Sequence, residues 1–184
     1  MSIPYLPPGF IFMPTDSEQL QFLKDKLLGR LDQYTSGFIP DNINPYGCDP
    51  VELPKGDHFE RTHQAYFFTH KNQNRTLKDG FWMASALPEE INNGGQMLGL
   101  KEEFNFFWSV GKVTIETNWV MREYSINPAI FSEGERRAIG NMGPGWWGGQ
   151  KLVSRKNVNG EGEVGVKLSQ KSSDERRTQS WVVL

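Results

Sequence analysis

The chain has 184 residues, enough for one domain with some surplus, and its 37% hydrophobic content includes 12 Phe, 6 Trp and 5 Tyr, so it carries the apolar surface of a folded core. Disordered and coiled-coil chains are thereby excluded. Twenty basic residues against 22 acidic ones leave a formal charge of -2 and a pI near 6.0, which excludes the strongly positive footprint of a tight nucleic-acid binder.

The N-terminal segment lacks a basic start and is interrupted by Pro4, Pro7 and Pro8, so a signal peptide is not expected. No run approaches the roughly 18 uncharged apolar residues of a membrane span, and the expected setting is intracellular. The first periodic segment runs from Asp16 to Leu28, with Leu20, Leu23 and Leu27 on one helical face. Thr15 and Glu18 form a capping-box signature before it, and Gly29 follows as a left-handed stop. Between Gly37 and Asp57, Pro40, Pro45, Pro50 and Pro54 predict loops with one short helix or strand, and Cys48, the single cysteine, excludes an intrachain disulfide or a zinc site with several thiolates. From Gln64 to Ile126 the texture becomes aromatic and β-favouring. Strands are predicted over Ala65 to Thr69, Gly80 to Ala86, Lys101 to Trp108 and Thr117 to Ile126, with Asn93-Gly94-Gly95 as a turn, giving an antiparallel sheet. The Gly-, Ser- and charge-rich stretch from Phe131 to Gln179 is expected to be mobile, and Trp181-Val182-Val183-Leu184 to be a short terminal strand.

The patterns that suggest catalysis or cofactors lack the surroundings their chemistry needs. His58, His63 and His70 are spaced five and seven apart, off any common helical face, and no dense acidic cluster accompanies them. Gly143 to Gly148 spells G-x-G-x-x-G, yet no buried strand precedes it and a proline occupies the turn. Asn74-Arg75-Thr76 spells a glycosylation acceptor without a secretion signal. Glu89-Glu90 and Glu102-Glu103 are neighbours on strands, so their carboxylates point to opposite faces, as on a solvated edge. Neither an enzyme nor a cofactor or metal is expected.

Ordered blocks carry a resemblance. Leu6-Pro7-Pro8-Gly9-Phe10-Ile11-Phe12-Met13-Pro14-Thr15-Asp16 resembles the L-P-P-G-F-R-F-x-P-T-D opening of the plant NAC-domain transcription factors. Ile43 to Pro54 resembles V-N-x-Y-x-x-x-P-W-x-L-P, Ala65-Tyr66-Phe67-Phe68 resembles W-Y-F-F, and Asn74-Arg75 through Gly80-Phe81-Trp82-Met83-Ala84-Ser85-Ala86 resembles N-R-A-T-x-x-G-Y-W-K-A-T-G. Gly99 to Phe107 resembles G-x-K-K-T-L-V-F-Y, Thr117 to Tyr124 is similar to T-x-W-V-M-H-E-Y, and Trp181-Val182-Val183 resembles W-V-L-C-R.

The resemblance implies an α+β fold, a twisted antiparallel sheet flanked by the N-terminal helix and a short second helix. The implied division is a DNA-binding domain over 1–126, a flexible loop or linker over 127–180 and a closing strand over 181–184. It further implies a nuclear regulator of transcription that binds double-stranded promoter DNA, forms a homodimer or a heterodimer with NAC-domain proteins, and has no membrane partner. Phosphate contacts are assigned to Arg75, Lys78, Lys101 and Lys112, the last three by charge, position or the G-x-K-K match, and the groove-facing strand to Trp82, Met83, Ala84 and Ser85. The opening block assigns dimerisation to Leu6, Pro7, Gly9, Phe10, Ile11 and Glu18.

Departures from the pattern fall on the contact positions. Met83 replaces the Lys of W-K-A-T-G, Glu102 replaces the second Lys of G-x-K-K, and Ile11 replaces an Arg expected to face Glu18 across the dimer. From Lys71 to Ile126 six positive side chains meet seven negative ones, so DNA binding is expected to be weak, and Met83→Lys with Glu102→Lys to rebuild it. The family's long activation region is not found after Leu184, so occupation of DNA or a partner without activation is expected. The alternative is an interaction module that pairs with NAC relatives and inhibits them without binding DNA.

Overall fold

A computed structural model describes residues 6–41, 43–54, 59–70, 74–140 and 150–157. The helix expected at the N-terminus is α1, Asp16–Leu27. Its start is fixed by reciprocal bonds: the Glu18 carboxylate accepts from the Thr15 main-chain N–H at 2.7 Å, and the Glu18 N–H donates to the Thr15 hydroxyl at 3.3 Å. Gly29, at φ +66°, ends it in a conformation that a side chain would strain. Leu20 and Leu23 are fully buried beneath the helix. The approach is close enough that a Cβ at Gly99 of the sheet would lie 2.8 Å from the Leu20 side chain and 2.3 Å from the Ser125 carbonyl, so only glycine fits.

Thr15→Ala removes this cap and is expected to cost about 1 kcal/mol, a fall of about 2 to 4 °C in the thermal midpoint. Hydrogen bonds from the Thr15 main chain and hydroxyl hold the Glu18 carboxyl below its ordinary pKa. The sign follows from that direction: the stabilisation from Glu18 is complete above the ordinary carboxylate pKa and is lost as pH falls through the lowered one. The midpoint difference between wild type and Glu18→Gln should therefore shrink on acidification, which a thermal melt series reads directly.

Two shorter helices, α2 (Gln33–Phe38) and α3 (Phe59–Thr62), and a 3-10 turn over Pro50–Glu52 occupy the proline-rich region and its flanks. The strands are β1 (Gln64–His70), β2 (Gly80–Ala84), β3 (Glu89–Asn93), β4 (Gln96–Val110), β5 (Val113–Ile126) and β6 (Gln150–Asn157). They form one antiparallel sheet in the order β1-β6-β5-β4-β2, with β3 pairing the other half of the same β4 edge. Two cores result. Tyr66, Phe68, Tyr124 and Ile126 meet α1, α2 and Phe131 on one face, while Ala65, Phe67, Trp82, Phe104, Phe106, Trp119 and Met121 meet Tyr46 and Leu53 on the other.

Two pieces of the span expected to be a flexible loop are regular structure. α4 (Glu133–Ile139) opens with a second capping box, Ser132 with Glu135, and is tied to α1 by Lys24–Glu135 at 3.4 Å. β6 pairs on both sides, with β1 and with β5, so its main chain is satisfied by neighbours that its polar composition does not announce. Residues 158–184, including the terminal strand expected over 181–184, lie outside the described residues, as does His58. Glu102 and Glu103 are not on an edge, because β4 is flanked by β5 and by β2 and β3. Glu89 and Glu90 do begin an edge strand, β3, that the sequence reading omits. Burial of Ile91 and the Gly94-Gly95 turn stabilise it despite its acidic start.

Candidate nucleic-acid interface

Side chains alternate along each strand, so register assigns every position to a face. Lys101 pairs with Tyr124 across β4 and β5, Glu103 with Arg122 and Asn105 with Val120, and all share the α1 side with Tyr124. Met83 pairs with Asn105 and Phe81 with Phe107, which extends that face onto β2. The helices cover only the end near Gly99 and Ile126. Beyond Lys101 no described helix covers the face, and Phe81 and Met83 of the outer strand β2 stand there, Met83 at 51% exposure, with Ser85 just past the strand's end. Phe81 stacks on Phe107 at 5.5 Å between ring centres.

Trp82 is a correction to the expected groove-facing strand, because it points the other way and is buried against Phe106 at 4.9 Å. Ala84 shares the phase of Trp82 but is exposed. The reading strand therefore splits, with Met83 and Ser85 on the open face and Trp82 and Ala84 behind it. Glu102 is likewise on the far side from Met83, facing Glu123, so the two positions expected to rebuild binding together do not share a surface.

Arg75 and Lys101, assigned to phosphates, are both held within the chain. The Arg75 guanidinium donates from Nε at 3.1 Å and from Nη2 at 2.7 Å to one carboxylate oxygen of Glu123, which is fully buried. It lies 4.3 Å above the Phe104 ring and 5.6 Å from the Tyr46 ring. Burial and then the Glu123 charge push the Tyr46 hydroxyl well above its ordinary pKa. The Arg75 carbonyl accepts from the Trp82 N–H at 2.9 Å, so the same residue anchors the loop beside β2. Lys101 reaches Asp16 at 2.8 Å and Glu89 at 2.7 Å. Burial lowers its pKa, but the hydrogen bonds to Asp16 and Glu89 outweigh that effect and the net direction is upward. Asp16 also accepts from the Tyr124 hydroxyl at 2.6 Å, so Lys101 belongs to the clasp between α1 and the sheet.

Lys78 and Lys112 remain exposed, and neither forms an ion pair among the described residues. Lys112 occupies the β4-β5 turn, and the Ser109 N–H donates to the Asp79 carbonyl at 2.9 Å, so both lysines lie at the same end of the sheet as the open part of β2. The acids of that face are partly occupied. Glu103 accepts from Arg122 Nε at 3.0 Å and from the Ser85 hydroxyl at 3.2 Å, and Glu116 accepts from Asn105 at 3.2 Å.

The residues assigned to dimerisation lie along the segment before α1. Leu6 packs against the α1 core, Pro7 and Gly9 are exposed in a turn closed by the Phe10 N–H on the Pro7 carbonyl, and Phe10 and Ile11 are exposed at 64% and 51%. Glu18 is committed to the helix cap. Sequence reasoning missed Glu123, Asp16 and Glu89, the partners that take the two cations. One signal was available for Glu123: Trp119, Met121 and Glu123 alternate on one face, and a carboxylate in an apolar phase requires a cation.

Among the described residues no cluster of His, Cys, Asp and Glu is arranged to hold a metal. No described helix is long and apolar enough to cross a membrane. The described residues form an α+β protein whose antiparallel sheet is clasped by a capped helix at one end, with an outer strand at the other that no described helix covers. The family model described as No apical meristem (NAM) protein matches residues 7–126, and the chain belongs to this NAC-domain family. It is 29% identical over 163 residues to NAC domain-containing protein 2 of Solanum lycopersicum, covering 84% of this chain and 57% of that protein. It is 32% identical over 123 residues to NAC domain-containing protein 104 of Arabidopsis thaliana, covering 66% of this chain and 62% of the relative. NAC transcription factor 29 of Arabidopsis thaliana is 29% identical over 131 residues, 66% of this chain and 47% of that protein. The matches thus span less than two thirds of the length of each of these relatives.

Proposed function

We propose that this chain regulates transcription in the nucleus by meeting double-stranded promoter DNA along β2, with low affinity on its own, and by pairing with NAC-domain proteins. The observation that carries the reading is the outer strand β2, which turns Phe81 and Met83, with Ser85 just past its end, to a face that no described helix covers, with Lys78 and Lys112 at the same end. A strand of this kind can enter a major groove with alternate side chains, and lysines at its flank meet the phosphates. The name of NAC transcription factor 29 supports the class of function. Low affinity follows from the chemistry: with Arg75 and Lys101 internally paired, two lysines supply a slope of log affinity against log salt of only about -1.8.

The second reading, an interaction module that pairs with NAC relatives and inhibits them, is favoured by the exposed Phe10, Ile11 and Met13, an apolar stripe that needs no cation. A band-shift assay with a family-type duplex separates the two. The first reading expects retardation by this chain alone at low salt and its loss at physiological salt. Absence of retardation at every salt, together with loss of a full-length relative's complex when this chain is added, sinks the first reading and favours the second.

A further inference from the structure

The centre of the open β2 face is apolar, and the hydrogen-bond donors beside it are engaged by acids. Phe81 and Met83, two residues apart, share that face, and the Phe81 ring lies stacked on Phe107 with 14° between the planes. Asn105, directly opposite Met83, donates from Nδ2 to Glu116 at 3.2 Å. The Ser85 hydroxyl donates to one oxygen of Glu103 at 3.2 Å, and Arg122 Nε donates to the other at 3.0 Å. Guanine is read in the major groove by donors that reach its O6 and N7 acceptors, and a donor held by a carboxylate must break that bond to do so. The half-exposed Met83 thioether has no such bond to break, and its unbranched chain adapts to an apolar contact.

We propose that Met83, backed by the Phe81-Phe107 stack, selects duplexes by the C5-methyl group of a pyrimidine in the major groove, thymine or 5-methylcytosine. The inference rests on the DNA reading of β2 given above and adds what that strand recognises. The methyl group is the one apolar feature of the base edges in that groove, so it is what an apolar centre can read. The charges agree with this occupant, because the exposed Lys78 and Lys112 at the same end of the sheet meet phosphates while the centre of the face carries no free cation among the described residues. Glu103 and Glu116 favour 5-methylcytosine of the two sources. The N4 amine of cytosine donates toward a carboxylate, whereas the O4 of thymine is a second acceptor.

Fluorescence anisotropy of the whole chain at low salt tests the inference with a family-type duplex, the same duplex with deoxyuridine for every thymine, and the same duplex with 5-methylcytosine for every cytosine. Burial of one methyl group against Met83 should change affinity about fourfold. A gain with 5-methylcytosine is the expected result. A loss with deoxyuridine also supports the inference and names thymine as the source. Met83→Ala should erase the difference between duplexes at a nearly unchanged thermal midpoint, since the side chain is exposed, and Met83→Leu should retain most of it. Equal affinity of wild type for the three duplexes overturns the inference and leaves the DNA reading standing. A methyl dependence that persists in Met83→Ala also overturns it, because the methyl groups would then act through the shape of the duplex. Absence of binding to every duplex at every salt concentration removes the DNA reading itself, and the inference with it.

Discussion

Replacing Arg75 by methionine is expected to lower the stability of the fold by about 3 to 5 kcal/mol, because the change leaves Glu123 charged and buried without a cation. Against a total stability of about 5 to 15 kcal/mol, that loss brings the chain near its unfolding threshold. Both donors of Arg75 meet a single oxygen of Glu123, and the guanidinium plane covers Phe104, so Arg75→Lys should also destabilise the fold, by less, because it keeps the charge and loses the second donor and the stacking. The double change Arg75→Met with Glu123→Gln removes both charges together and should recover most of the loss. Urea unfolding of the three variants measures the effects. A phosphate-contacting Arg75 would give the opposite pattern, with unchanged stability and a salt slope shallower by about 0.9.

The parts of the fold legible in the sequence are those whose signal is local. The Thr15-Glu18 box and the Leu20, Leu23, Leu27 stripe announce α1 because a cap and a helical face are set within a few residues. The aromatic runs of β1, β4 and β5 are legible because one face of each is buried along the aromatic stretch, where Phe67, Phe104, Phe106, Trp119 and Met121 meet in one core. β6 is not legible, since a strand paired on both edges draws its stability from β1 and β5 rather than from its own residues. α4 carries a local signal too, since Ser132 and Glu135 repeat the capping pattern of Thr15 and Glu18, but the signal sits in a stretch rich in Gly, Ser and charge. The site divides in the same way. Alternation alone separates Met83 from Trp82 once Trp82 is known to be buried. Asp16 lies 85 residues from Lys101 and Glu123 lies 48 from Arg75 in sequence, and matching a motif transfers a residue's identity but not what the fold brings against it.

Met83→Lys with Glu103→Gln is expected to strengthen DNA binding on the face of β2 that the proposed function assigns to the duplex. Met83 is the exposed centre of β2, directly opposite Asn105, so a lysine there stands clear of the core. Glu103 holds Arg122 at 3.0 Å on the same face, and its neutralisation removes one negative charge while releasing a cation already in place. Two regained phosphate contacts should steepen the slope of log affinity against log salt by about 1.8, and a base contact from position 83 would add about 1 to 3 kcal/mol that depends on the sequence of the duplex. Glu102→Lys changes charge by more than Glu103→Gln does, but on the opposite face, so it should leave the slope near that of wild type. This comparison separates a surface contact from a general gain of charge, which acts at long range and falls off beyond about 8 Å at physiological salt. Fluorescence anisotropy with a family-type duplex and a scrambled one, at several salt concentrations, reads both quantities. Equal slopes for Met83→Lys with Glu103→Gln and for Glu102→Lys would mean that DNA does not meet the open face of β2, and the surface that remains for function is then the apolar one that pairs with other proteins.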